Sequence, residues 1–401
     1  MGLADVIFLL PVAAGAAALV LQHWLSRRLN PQTPVGDEKE YLGARQTLWV
    51  RVPLQGWLMR AAARLTPQRR DLGGRWLTGL LSALSVAGAT LWVASEAGPG
   101  PALVTALTLL LSVERAVLAL HLWPDIAMGA LLLAFTWCVQ LPSPVAAAVV
   151  AALAFGLRIE GLALCVWAAA MPFFGTGMLT PAILSPAAFA PAMIGLGALA
   201  VCTVSGGLRT GIWRPDTTFA FNLRAASSSA RNPDAPVGQV MLETMRETRQ
   251  GAARPGLKTV PAILRDIPRR MRNVLGAESF LRHNVLGRNL ATYGPAHARL
   301  FSGPVGAGLH WGFTATAFAT AVVLPLQSAP VIAALLGGCL IYGGLFTRSR
   351  YRMALLPLMA VALGLGVDRL GDRPELALAG LAGALALSLL ISRARPRREE
   401  G

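Results

Sequence analysis

The sequence predicts an all-α protein that crosses a membrane about 10 to 11 times, with amphipathic helices lying at the membrane surface between spans. Three observations predict it. The 401-residue chain is 54% hydrophobic, its mean hydropathy is +0.54, and only 14% of it is charged. A soluble globular protein averages ~45–50% apolar and ~25% charged residues. The apolar residues also come in unbroken blocks, with no Asp, Glu, Lys or Arg between Arg75 and Glu96, between Gly161 and Leu208, or between Leu300 and Thr347. A helix needs ~20 such residues to cross a bilayer, so the second and third blocks each hold two spans. This composition excludes a water-soluble enzyme and a disordered tail protein.

In chain order, spans are expected near 6–26, 76–95, 101–120, 125–141, 145–172, 181–205, 308–325, 329–347, 353–368 and 375–392. The first 22 residues lack the positive start of a secretory signal, so they read as an uncleaved span. Arg158-Ile159-Glu160-Gly161 interrupts the 145–172 segment. One long helix there gives ten spans; two half-helices give eleven and move the C-terminus to the other side. The chain thus divides into an N-terminal membrane module (1–205), a basic polar region (206–307), and a C-terminal bundle with a short basic tail (308–401).

Two polar stretches break the pattern. Between Ser26 and Arg75, Leu48, Val52, Leu54, Trp57, Leu58 and Ala61 repeat at helical spacing, with Arg51, Arg60 and Arg64 off that stripe. This predicts interfacial helices. The 206–307 region holds 15 of the 36 cations. Within it Val260, Ile263, Leu264, Ile267, Met271, Val274 and Leu275 line one face, opposite Arg265, Arg269, Arg270 and Arg272, with a kink expected at Pro268. Ser227-Ser228-Ser229 to Pro236 reads as a loop. No internal repeat suggests a two-half transporter.

The formal charge of +16 does not point to nucleic acid, because the cations border apolar spans and suit anionic headgroups and topology signalling. A ten-span chain with a cytoplasmic N-terminus would carry 22 cations inside and 12 outside. An eleven-span chain would place 206–307 outside. The four cysteines, Cys138, Cys165, Cys202 and Cys339, sit in apolar stretches without CxxC spacing and read as core thiols.

Charge within a span costs ~2.5–3.5 kcal/mol per residue, which draws attention to Glu114-Arg115, Asp125, and Arg158 with Glu160. Each has a structural reading. Glu114 and Arg115 would neutralise each other, Asp125 would cap the helix after Pro124, and Arg158 with Glu160 would stabilise a helix break. His121 and Asp125 are four residues apart, with Glu114 seven before His121. The first loop carries Pro34-Val35-Gly36-Asp37-Glu38-Lys39-Glu40-Tyr41-Leu42-Gly43-Ala44. Alone, this is a solvated helix start with Asp37 as cap.

Three motifs in order resemble the C-type (GT-C) membrane glycosyltransferases, which include protein O-mannosyltransferases and bacterial aminoarabinose transferases. The Gly-Asp-Glu-x-x-Tyr-x-x-Ala run at Gly36–Ala44 looks like that superfamily's first extracytoplasmic loop, where an Asp follows the first span. His121-Leu122-Trp123-Pro124-Asp125 looks like its short turn before the fourth span, and Leu157-Arg158-Ile159-Glu160-Gly161-Leu162 like its Arg-x-Glu-Gly element. The resemblance covers roughly the first 210 residues. It implies transfer of a sugar from a polyprenyl-phosphate carrier to a glycan, lipid or protein acceptor outside the cytoplasm, in a bacterial inner membrane.

On that reading Asp37 is the general base, with inversion at the anomeric carbon, and Glu38 is the alternative base. Tyr41, His121, Asp125, Arg158 and Glu160 would contact substrate, with Arg158 the embedded cation for the lipid phosphate and Arg209 and Arg214 weaker ones. Some members use a divalent metal ion. Here no three or four ligands have metal-site spacing, so no metal residues are assigned. The absence of a glycine loop after a strand argues against a soluble nucleotide-sugar donor. Two other classes fit the same composition: a transporter or flippase for a lipid-linked or small anionic substrate, and a non-catalytic assembly subunit.

Overall fold

The computed structural model describes residues 3–29, 37–43, 50–141, 143–174, 186–231, 237–249, 260–268, 270–271, 317, 320, 329–344, 349–370 and 375. Among them every regular element is helical. Fifteen α-helices follow in order: α1 Leu3–Leu29, α2 Asp37–Tyr41, α3 Leu54–Arg64, α4 Arg70–Ala97, α5 Pro99–Leu111, α6 Val113–Leu118, α7 Asp125–Gln140, α8 Pro144–Leu157, α9 Leu162–Phe174, α10 Pro186–Thr210, α11 Thr218–Arg231, α12 Val237–Arg249, α13 Val260–Arg265, α14 Ala329–Gly344 and α15 Leu356–Leu370. Among the described residues three stretches are long and apolar enough to cross a membrane: Ile7–Arg27, Pro67–Ala97 and Ala188–Thr210. Of the shorter apolar helices, α5, α7, α8 and α9 pack against them, and α14 packs on α7 and α15. The spans expected at 308–325 and 375–392 lie outside the described residues except for single positions.

Local chemistry sets the reversals. Gly98 takes φ +84, a conformation open to glycine at little cost, and Pro99 and Pro101 start α5 on the return path. The expected span at 101–120 is broken at Ser112, whose backbone leaves the helical region and whose hydroxyl accepts from Arg115 N at 3.4 Å. The 145–172 segment is two helices. Arg158 is extended (φ −149, ψ 141), a 3₁₀ turn covers Ile159–Gly161, and α9 packs back along α8. Gly161 permits that close turn, because a Cβ there would lie 2.2 Å from Phe155 N.

These reversals bring the polar connections to one end of the bundle. Val50 N donates to Thr217 Oγ1 at 3.0 Å, and Thr217 N to Val50 O at 2.9 Å. Arg209, at the end of α10, donates to Arg51 O at 2.9 Å. The first loop and the start of the 206–307 region therefore share an end. The four exposed tryptophans among the described residues, Trp24, Trp57, Trp76 and Trp213, also belong to this end. An aromatic belt of that kind marks a membrane–water interface.

Three expectations are corrected. In α3 the buried face is Gln55, Gly56, Met59, Ala62 and Ala63, packed on α4, while Trp57 of the expected apolar stripe is exposed. Small residues let the two backbones approach, so volume overrides hydrophobicity in choosing the face. Ser227, Ser228 and Ser229 are not loop; they are buried within α11, where small side chains fit against α12 and α13. Arg270, expected on a polar face, is buried and donates to Ala226 O at 3.3 Å and to Ile263 O, while Leu264 is exposed. Residues 272–275 of that expected face lie outside the described residues.

The α3–α4 contact gives a test. A Cβ on Gly73 would fall 2.0 Å from Ala62 O, a backbone atom that cannot swing aside. Gly73→Ala should destabilise the protein by about 1–3 kcal/mol, read as a lower Tm in detergent, while Gly100→Ala, with nothing within 4 Å, should not. Equal melting of the two variants would contradict this packing.

Candidate functional site

The site grows from α2, a single turn in which residues three apart share a face. Asp37 and Glu40 turn to Arg51: Asp37 Oδ1 lies 3.2 Å from Arg51 Nη2, and Arg51 Nε donates to Glu40 Oε2 at 3.0 Å. Arg51 also stands 5.9 Å from the centre of the Tyr41 ring. Burial opposes its charge, yet Tyr41, Asp37 and Glu40 outweigh burial and raise the guanidinium above its ordinary range. Glu38 and Tyr41 turn inward, and Glu38 has no exposure at all. The Asp37 side chain, by contrast, is 33% exposed. Of the two candidate bases, only Asp37 is open to an incoming acceptor.

Glu38 instead anchors the 119–125 corner. Its Oε1 accepts from Leu122 N at 2.8 Å and lies 2.9 Å from His121 Nδ1, where an Nδ1–H donates to it. His121 stacks on Trp123, ring centres 4.3 Å apart. Neighbouring carbonyls of the corner are also held: Leu120 O by Arg75 Nη1 at 2.8 Å, and Leu122 O by Gln55 Nε2 at 2.6 Å. Arg75 is in turn oriented by Asp71 at 2.9 Å. The corner is thus fixed by side chains from α2, α3 and α4.

Beyond the corner, Asp125 opens α7 as its first residue, with Pro124 at the cap position; its carboxylate meets Arg158 Nη1 at 2.6 Å. Arg158 also grips Glu160 with two bonds, Nη2 to Oε1 at 2.8 Å and Nε to Oε2 at 3.2 Å. Its guanidinium lies 4.4 Å from the centre of the Tyr351 ring, which stacks on Tyr342 at 5.7 Å. The buried ion pair expected at the helix break is present, with Asp125 as a third member. All three guanidinium nitrogens are engaged and two carboxylates face the one cation, so a phosphate there would meet net negative charge.

Glu114 and Arg115 do not neutralise each other. Glu114 pairs with Arg352, and Arg115 donates to Leu109 O at 2.8 Å and to Ser82 Oγ. Residues that sequence reasoning missed are Arg51, Tyr351 and Arg352, which meet residues it singled out, and Gln55, Asp71 and Arg75, which hold the corner beside His121. Asp216 joins them: it accepts from Thr218 Oγ1 at 2.6 Å and Phe219 N at 2.8 Å, starting α11. Burial pushes its carboxyl up, with Glu160 adding to that and Arg51 working against it. Among the described residues no three His, Cys, Asp or Glu side chains form a metal-ligand group.

Asp37, Glu38, Tyr41, His121, Asp125, Arg158 and Glu160 therefore fall into two tied groups at one end of the bundle, joined through the five-residue run His121–Asp125. The Gly36 and Ala44 positions of the first motif lie outside the described residues. No known protein family, curated protein or solved structure matches the chain. The resemblance to C-type glycosyltransferases accordingly rests on the three motifs alone.

Removing Arg158 leaves two carboxylates buried together. Arg158→Ala should cost about 3–5 kcal/mol, whereas Glu38→Ala, which strips the partner from Leu122 N, should cost about 1–3 kcal/mol. Thermal unfolding of both variants checks the order; a harmless Arg158→Ala would contradict the triad.

Proposed function

We propose that the chain is a polytopic membrane glycosyltransferase of the C type, with about 10 to 11 spans, that moves a sugar from a polyprenyl-phosphate carrier to an extracytoplasmic acceptor. A bacterial inner membrane is the setting this reading implies. The observation that carries it is the division of labour within α2: Asp37 is accessible and steered by Arg51, while Glu38 beside it is sealed against His121. An acceptor hydroxyl loses its proton as it attacks the anomeric carbon, and an accessible carboxylate within hydrogen-bond reach takes it. Attack from that side inverts the anomeric centre. The leaving lipid phosphate is already a stable anion, so it needs cations rather than a strong acid. Asp125, Arg158 and Glu160, with Tyr41 and His121, would shape the wall against which the sugar rests. If a divalent ion takes part, Asp37 and Glu40 are the accessible oxygens of this end.

A second reading, a transporter or flippase, is favoured by one observation. The first loop carries ten cations and the 206–307 region fifteen, and both leave from the same end. The positive-inside rule places such an end in the cytoplasm, although long connections obey it loosely. Asp37 would then face the wrong compartment for a polyprenyl-linked donor.

In membranes supplied with labelled polyprenyl-phosphate sugar, Asp37→Asn should lower transfer by ~10²-fold or more. Its half-exposed ion pair with Arg51 is worth ~1 kcal/mol at most, so expression and Tm should hold. Full turnover in Asp37→Asn would remove Asp37 from the mechanism.

A further inference from the structure

A groove on the outside of the bundle lies close to this end. One face of α10 and the side of α3 form it: Val201, Val204, Ser205 and Leu208 on α10, Trp57 opposite, and Arg209 at its polar end. Its volume is about 480 Å³, within the range of sites that hold one ligand. Trp57, Val201, Val204 and Leu208 are all exposed. Val201, Val204 and Leu208 sit on a helix long and apolar enough to cross a membrane, so the groove opens sideways to lipid rather than to water.

The charge at its polar end is one-sided. Arg209 is fixed by its bonds to Arg51 O and Ser205 O, both backbone acceptors. Arg60 folds over Gly56, where a Cβ would meet its Nη1 at 2.9 Å, and so lies on the helix that carries Trp57. Arg60 is within electrostatic reach of both Arg209 and Arg64; burial first, then these two cations, hold its guanidinium below the ordinary range. Among the described residues none of the three forms an ion pair with a carboxylate. Clustered guanidinium groups without acidic partners repel one another, and a bound anion removes that cost. By contrast Arg51, Arg75 and Arg158 are all matched by carboxylates. Of the unmatched cations, Arg209 lines the apolar groove, and Arg60 lies within electrostatic reach of it.

We infer that this groove is the seat of a phosphate-headed lipid, its chain along Trp57, Val204 and Leu208 and its phosphate on Arg209 and Arg60. The inference deepens the glycosyltransferase reading and rests on it for the natural occupant, the polyprenyl-phosphate carrier. It moves the phosphate site away from Arg158, which the ion triad occupies, to cations next to Arg51 and hence to the Asp37 end. No covalent step is involved.

The full chain, purified in detergent, would be examined by native mass spectrometry after addition of polyprenyl monophosphate, the matching polyprenol, or phosphatidylglycerol. The monophosphate should form a one-to-one adduct that the polyprenol and phosphatidylglycerol do not match. Arg209→Gln should weaken the adduct about tenfold, as loss of one charge-assisted contact. Val204→Trp, which fills the groove without touching a cation, should abolish it. Both variants would be checked for unchanged Tm, and Arg60→Gln repeats the charge test if Arg209→Gln melts early. Equal binding of polyprenol, equal binding of phosphatidylglycerol, or unaltered adducts in the groove variants would overturn the inference. Asp37→Asn should keep the adduct while losing transfer, so a failure of the catalytic reading is distinguishable from a failure of this site.

Discussion

The arrangement of this end of the molecule depends on one buried carboxylate. Glu38 has no contact with solvent, and a charge in that position is tolerated only with partners. It finds them in the amide of Leu122 and the ring of His121, more than eighty residues away in the chain. Because α2 is a single turn, fixing Glu38 inward fixes Asp37 outward, about 100° around the helix axis. Arg51 then holds Asp37 and Glu40 in place from the following segment. The accessible acid is positioned by the inaccessible one.

The second constraint is the reversal at Arg158. An extended residue between two apolar helices leaves backbone groups and a guanidinium in a region poor in water. Asp125 and Glu160 neutralise that guanidinium, and the Tyr351 ring covers its face. This costs desolvation, and a triad of this kind is weak as a source of stability but strongly destabilising when one partner is removed. What it secures is geometry: the ends of α7, α8 and the segment before α15 meet at the place where the first loop is anchored. With α9 folded back on α8, α10 returns to the same end and delivers Arg209 and Asp216 beside Arg51.

Much of this was legible in the sequence. Uncharged blocks give the apolar helices, and the rarity of charge within them singles out Asp125, Arg158 and Glu160, which do come together. The pairing of Glu38 with His121 was not legible, because adjacent acids look alike until a fold turns one inward. Glu114-Arg115 misled for a related reason: neighbours in sequence point to different sides of a helix, so their partners, Arg352 and Ser82, came from elsewhere. The buried face of α3 was missed because glycine and alanine carry little hydrophobic signal yet govern how closely helices approach. The serines of α11 failed similarly, since turn-forming residues are also small enough to bury. The groove gave no sequence signal, as it joins Trp57 to residues nearly 150 positions later.

The side of the membrane that this end faces tests the central claim most directly. With the four native cysteines replaced and the exposed Lys39 changed to Cys, whole cells would be treated with a membrane-impermeant thiol reagent. Labelling of intact cells is predicted, since it puts Asp37 where lipid-linked sugars are consumed. Labelling only after the cells are broken, with an outward-facing control reacting normally, would place Asp37 in the cytoplasm and contradict the glycosyltransferase reading.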